Sequence, residues 1–287
     1  MNTLLTLGHG YSAQALSALL IPQGWSVIGT VRDNEKATTV QSMGIEPLLW
    51  PGDLTNALGR ATHILATAAP ETSGDPFLRA ALDAICAARP KWVGYLSTTA
   101  VYGDHQGGWV DEDTPPNPQS ARAVLRILAE QQWLATGLPA HIFRLAGIYG
   151  PGRGPFEKVR DGSARRIIKP GQVFSRIHVD DIAATLAASI NYPNPGTIYN
   201  VCDNDPAPPE DVLAYAAHLL DLPEPAAVPY DQAEMSPMAR SFYGESKRVR
   251  NDRIKAQLRV TLHHPTYREG LTALLHDEQR LRNITRT

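Results

Sequence analysis

Cysteine is close to absent, with two in 287 residues. Cys86 lies in an alanine-rich helical run and Cys202 at the end of an expected strand. Neither belongs to a CxxC or metal-ligand pattern, which excludes a disulfide framework and marks both as core thiols of a cytoplasmic protein. The nine histidines are scattered, with no HExxH and no His-rich tract, so no metal is expected. No apolar run is long enough to span a membrane. The N-terminus enters an expected strand at once, leaving no room for a signal peptide. Lysine and arginine form no block, and a formal charge of −2 gives nucleic acid no platform. Neither a membrane nor a nucleic acid is therefore an expected partner. Internal repeats and low-complexity tracts are missing too.

What is present begins at residues 3–19, TLLTLGHGYSAQALSAL: an apolar strand (Leu4, Leu5, Leu7), a glycine turn and an amphipathic helix (Tyr11, Ala15, Leu16, Leu19, Leu20). Gly8 allows the sharp turn, Gly10 has no side chain to keep a pyrophosphate off the backbone, and Ala13 lets the helix pack close to the strand. The amides opening the helix then meet phosphates with the positive end of its dipole. Gly8, His9, Gly10, Tyr11 and Ser12 are therefore expected cofactor contacts, with Ala68 at the end of a later strand. The competing reading is a plain strand-to-helix turn.

Strands at 25–32, 45–50, 62–70, 91–103, 139–150 and 196–203 alternate with helices through much of the chain. Apolar strands without strict alternation, each followed by a helix, predict an α/β fold: a doubly wound parallel sheet of about seven strands, with helices on both faces. An apolar share of 43% is ample for its core. Residues 1–150 plus about 176–204 are expected to form the dinucleotide-binding domain. Residues about 151–175 and 205–287, richer in proline and less regular, are expected to form a small C-terminal lobe.

The second strand ends Thr30-Val31-Arg32 rather than on an acidic residue. A hydroxyl and a guanidinium suit a 2′-phosphate, which favours NADP(H) over NAD. The alternative leaves Arg32 solvated and gives the ribose to Asp33. Asp53 is either an acceptor for the adenine amino group or a helix N-cap.

LSTTAVYGD (96–104), DEDTPPNPQS (111–120), RLAGIYGPG (144–152), RIHVDDIA (176–183) and IYNVCDNDPAP (198–208) resemble the extended short-chain dehydrogenase/reductases, the NAD-dependent epimerase/dehydratase superfamily. ESKRVRN (245–251) and HPTYREGLTAL (264–274) look like its atypical, YeeZ-like branch. The resemblance implies a Ser/Thr after the fifth strand and a Tyr-x-x-x-Lys pair on the next helix, the lysine lowering the tyrosine pKa for proton exchange as hydride moves. Thr98 falls on the Ser/Thr position and is the expected catalytic residue. SARAVLRILAE then puts Arg126 at the lysine, Arg122 at the tyrosine and Glu130 at a family glutamate; no tyrosine occurs in 104–148.

An arginine stays charged and cannot be that proton donor. Arg126 can still reach ribose hydroxyls as a cofactor contact. Together with Arg122, a substrate contact, it suits a small anionic substrate. The alternative pairs Arg126 with Glu130 across one helical turn, or leaves both arginines in solvent. Tyr102 and Tyr149 border the expected pocket as substrate-binding candidates able to donate a proton. His178 is expected beside an N-cap made by Asp180 or Asp181, and Arg144 as a satisfied core charge. Lys247 and Arg248 are read as a solvated helix face that can reach substrate. Two functions fit: an NADP(H)-dependent oxidoreductase or epimerase-like enzyme without the usual pair, or a non-catalytic NADP(H)-binding sensor.

Overall fold

Side-chain alternation along β1 (Thr3–Leu7) sends Leu4 to one face of a sheet and Leu5 and Leu7 to the other, and each face finds its own core. In the computed structural model, which describes residues 2–284, β1 is followed by α1 (Tyr11–Leu20), β2 (Ser26–Val31), α2 (Asn34–Ser42), β3 (Glu46–Leu49), α3 (Thr55–Arg60), β4 (His63–Ala66), α4 (Pro76–Ala87) and β5 (Trp92–Thr98). A short β6 (Trp109–Val110) precedes α5 (Ala121–Ala135), β7 (Ala140–Leu145), β8 (Gly147–Tyr149) and α6 (Phe156–Arg160). Then come β9 (Arg166–Ile168), β10 (Arg176–His178), α7 (Val179–Asn191), β11 (Ile198–Val201) and α8 (Pro209–Leu219). The chain continues through β12 (Ala227–Pro229), α9 (Pro237–Phe242), β13 (Arg248–Val249), α10 (Asp252–Leu258) and α11 (Tyr267–Ile284).

Seven strands form one sheet in the order β11-β7-β5-β4-β1-β2-β3, every neighbouring pair parallel. The chain winds outward through β2 and β3, then crosses back to β4, so the order reverses between β1 and β4. In such sheets the crevice outside the carboxyl ends at this reversal is the ligand site. The doubly wound sheet is as the sequence predicts.

Leu4, Leu65, Leu96, Phe143 and Tyr199 face α1 and α7, whose Leu16 and Ile182 fill that side. Leu5, Ile64, Val93, Tyr95 and Ile142 face Phe77 of α4 and Trp133 of α5. A third core joins Tyr149, Phe156, Ala216, Tyr267 and Leu271 from β8, α6, α8 and α11. Val249, Ile254, Leu258, Val260 and Leu262 return to the first core, so the segment around α10 packs on the sheet. Among the described residues no helix is long and apolar enough to cross a membrane.

Candidate functional site: the carboxyl edge of the sheet

The glycine turn is held from three sides. Gly8 has φ +95°, in the left-handed region, and a Cβ there would fall 2.9 Å from the Thr67 hydroxyl and 3.1 Å from the Ala68 amide. Its own amide donates to Thr30 Oγ1 at 2.6 Å, and its carbonyl accepts from the Thr67 hydroxyl. His9 donates its amide to Thr30 O, and its ring accepts or donates at Thr6 Oγ1 through Nδ1 at 2.8 Å. Burial pushes the imidazole down to about 4, so it is neutral at pH 7.

Beyond it, Gly10 faces open space: a Cβ added there would meet nothing within 4 Å. α1 also starts without a side-chain cap, whereas Asp33, Asp75 and Ser120 bond the opening amides of α2, α4 and α5. The amides of Tyr11, Ser12 and Ala13 thus have no side-chain cap, and the turn opens onto free space at Gly10 with the helix dipole behind it. That combination fits a pyrophosphate. Tyr11 reaches the opposite wall, donating its hydroxyl to Pro151 O at 3.0 Å, and the Arg153 guanidinium lies 5.7 Å from the Tyr11 ring.

From the glycine turn the edge runs on to α5. Thr67 and Ala68 donate their amides to Leu7 O, and Ala68 O accepts from Arg126 Nη1 at 3.4 Å. The same nitrogen donates to Leu96 O at 2.7 Å and to Tyr95 Oη at 3.2 Å. Arg126 is therefore anchored across the ends of β4 and β5, its Leu96 acceptor two residues before the expected Ser/Thr position at Thr98. Thr98 accepts from the Ala100 amide at 3.2 Å, which leaves its hydroxyl proton free to donate. Arg122, one turn before Arg126, is exposed, with its guanidinium 5.6 Å from the Phe242 ring of α9.

Several sequence expectations need correction. Thr30 is 2% exposed, and its hydroxyl donates to Thr6 O while accepting from Gly8, so it shapes the turn instead of facing a phosphate. Asp53 is not the N-cap of α3, which is Leu54; it sits one residue earlier, where Oδ1 accepts from the amide and hydroxyl of Thr55. Arg126 does not pair with Glu130. That carboxylate holds Arg144 in a buried two-pronged pair at 3.1 and 2.8 Å, and also accepts from Ser97 Oγ at 2.5 Å.

Tyr102 is fully buried and donates to Asn200 Oδ1 at 2.7 Å; burial pushes its phenol up to about 12. Tyr149 lies in the third core, its hydroxyl against Gly270 with no hydrogen-bond partner, and burial likewise raises its pKa. Neither phenol is placed as a proton donor to the cleft. His178 is itself the N-cap of α7, accepting from the Asp180 amide. Lys247 and Arg248 lie outside any helix and tie down the 103–108 turn through Gly103 O and Gly107 O. Arg32 is exposed and forms no ion pair among the described residues.

A family model described as NAD dependent epimerase/dehydratase family matches residues 78–202. The YeeZ protein of Escherichia coli (strain K12) is 31% identical over 244 residues, covering 78% of this chain and 86% of its own length. The chain belongs to the NAD-dependent epimerase/dehydratase family. Within it, the resemblance is to the atypical YeeZ-like branch. A solved structure of a functionally unknown conserved protein from Silicibacter pomeroyi DSS is 59% identical, with a TM-score of 0.92 over 97% of this chain and 99% of that one. The dTDP-glucose 4,6-dehydratase of Bacillus anthracis str. Ames, solved in complex with NAD, has a TM-score of 0.79 at 17% identity, over 98% and 97% of the two chains. That last likeness concerns the fold alone.

In this family member, sequence reasoning missed two closures of the edge. One is the Tyr11–Pro151–Arg153 contact, whose only local signal is the glycine-proline turn after β8. The other is the bond from buried Asp181 to the amides of His263 and His264, at 2.6 and 3.0 Å, which has no local signal at all.

Proposed function

We propose that this family member binds NADP(H) at the glycine turn and uses it on a small anionic substrate, as an oxidoreductase or epimerase-like enzyme without a Tyr-x-x-x-Lys pair. Residues 1–150 plus about 176–204 would carry the cofactor, with the lobe of about 151–175 and 205–287 enclosing the substrate. The single observation behind cofactor binding is the uncapped first turn of α1 opening onto free space at Gly10. The NAD held by the Bacillus anthracis dehydratase supports a nicotinamide dinucleotide. NADP(H) is favoured because Asp33 is engaged as the α2 cap through Lys36 N, while Arg32 at the same strand end is exposed. Nicotinamide, when bound, supplies or accepts hydride.

The chain's own residues would then divide the remaining work. Arg126 spends only Nη1 on protein acceptors, leaving Nε and Nη2 for ribose hydroxyls. Thr98 would donate its free hydroxyl proton as a hydrogen bond to the reacting carbonyl. Exposed Arg122 would hold the substrate's negative charge. The sensor reading gains from Tyr102 and Tyr149, both turned into the interior, because no tyrosine of the family loops then serves as acid.

Calorimetry and turnover decide between them. Arg32→Ala should weaken NADPH by about 1–3 kcal/mol and leave NADH nearly unchanged, the loss expected for a hydrogen bond to a charged group. Thr98→Val should keep NADPH affinity and abolish turnover of an anionic carbonyl substrate. Equal losses for both cofactors would remove the NADP(H) assignment. A partner captured only with NADPH, with no turnover against carbonyl panels, would decide for the sensor.

A further inference from the structure

His178, Asp180 and His264 bring two imidazoles and one carboxylate together, although the histidines lie far apart in the chain. We propose that this cluster is a binding site for a zinc-class divalent cation (zinc, cobalt or nickel), clasping the segment after α10 to the N-terminus of α7. It stands apart from the cofactor reading and does not depend on it.

The donor set comes first. His178 Nδ1 lies 3.5 Å from Asp180 Oδ2, and His264 Nε2 lies 3.8 Å from that same oxygen. One ligand atom from each of the three residues falls within 4.8 Å of both others. Bonds of about 2.0–2.1 Å to a tetrahedral centre put ligand atoms roughly 3.3–3.4 Å apart, so the two carboxylate spacings need to close by only tenths of an ångström. Two imidazoles with one carboxylate suit zinc and its borderline neighbours better than calcium or magnesium, which take oxygen donors.

Preorganisation is the second support. Asp181, fully buried, accepts from the amides of both His263 and His264 and so fixes the backbone that carries the His264 ring. The two imidazole centroids are held 3.9 Å apart at an angle of 50°. His178 is 2% exposed, its Nε2 has no hydrogen-bond partner, and its Nδ1 accepts one long 3.2 Å bond from the Asp180 amide. A metal bond at Nδ1 would replace that weak cap. The positive end of α7 works against a cation, but Asp180 and Asp181 in its first turn offset it. Asp180 is mostly exposed, which gives the ion an entry path and leaves its remaining position to water.

Zinc titrated into the metal-stripped full chain, followed by calorimetry, should bind one ion per chain and raise the melting temperature. Asp180→Asn and His264→Ala should each weaken binding on the order of 100-fold or more, above the 10–100-fold typical of losing a mere supporting residue. His263→Ala, which keeps its backbone bond to Asp181, should bind as wild type. Cobalt gives an independent readout, because its visible ligand-field bands should appear with wild type and vanish with His264→Ala. Circular dichroism confirms that each variant is folded. Absence of zinc binding to wild type, or equal affinity in all four proteins, overturns the site.

Discussion

Buried charge is handled in two different ways on either side of β7. In the sheet core, Arg144 and Glu130 form a two-pronged ion pair at 3% and 4% side-chain exposure, Ser97 adds a third bond, and the guanidinium sits 4.9 Å over the Tyr102 ring. In β10, Arg176 forms no ion pair with nearby Asp203, its Nη1 donating instead to Phe174 O and Ala207 O. Asp203 is 1% exposed, its Oδ2 has no partner, and burial pushes its carboxyl up to about 8. The Tyr149 hydroxyl, close enough for Asp203 to perturb it, is unpartnered as well. The first cluster is scaffold: both Glu130 oxygens and two of the three Arg144 guanidinium nitrogens are matched, and Nη1 lacks a hydrogen-bond partner. The second leaves the Asp203 Oδ2 and Tyr149 hydroxyl unmatched where the third core meets the sheet.

Glu130→Ala should break the matched cluster most severely. It strands a buried guanidinium, and removing one partner of a buried pair costs about 3–5 kcal/mol, readable by urea denaturation. A loss below about 1 kcal/mol would mean that Arg144 reaches water and that the two clusters do not differ as described.

Asp203→Asn tests the other side through pH. The folded-state pKa of Asp203 lies above its ordinary 3.8, so the native state holds an extra proton between about pH 4 and pH 8. Its contribution to stability is therefore best below about pH 4, declines as pH rises to about 8, and is level beyond. Asp203→Asn should remove that decline, melting above wild type at pH 8–9 and near it at pH 4. Each kcal/mol recovered is worth roughly 2–4 °C in a chain of this size. Parallel melting curves for the two proteins across pH would show that the carboxyl is ionised in the fold throughout.

Tyr102→Phe is the mildest change. It removes one hydrogen bond to Asn200 and should cost about 1 kcal/mol in thermal or chemical unfolding, with NADPH affinity unaltered. A large drop in cofactor affinity would return Tyr102 to the cleft.

The same contrast explains what could be read in the sequence. The β1–α1 turn was legible because its requirements fall within a few consecutive residues, and a parallel sheet of about seven strands follows from apolar runs alternating with helices. The Asp33 bond to the Lys36 amide is equally local, although the sequence suggests only a ribose contact for Asp33. Arg126 and Glu130 misled because spacing of four suggests an exposed helical pair, while a buried, two-pronged partner on β7 is the stronger claim on that carboxylate. Tyr102 and Tyr149 sit in loops of the expected pocket, but Asn200 and Gly270, far along the chain, decide where their hydroxyls go. His178 and His264 share no motif spacing, so scattered histidines gave no hint that two of their rings meet at 3.9 Å.

The missing cap of α1 has a consequence for motion. Gln14 is the first residue of this helix whose amide finds an intrahelical acceptor, at Gly10 O. No intrahelical acceptor protects the amides of Tyr11, Ser12 and Ala13, so faster hydrogen exchange is expected there than in the turns that follow. An anion seated on them becomes the cap. Ligand occupancy would then be visible, residue by residue, as slowed exchange in this one turn, while the capped first turns of α2 and α5 keep their own pace.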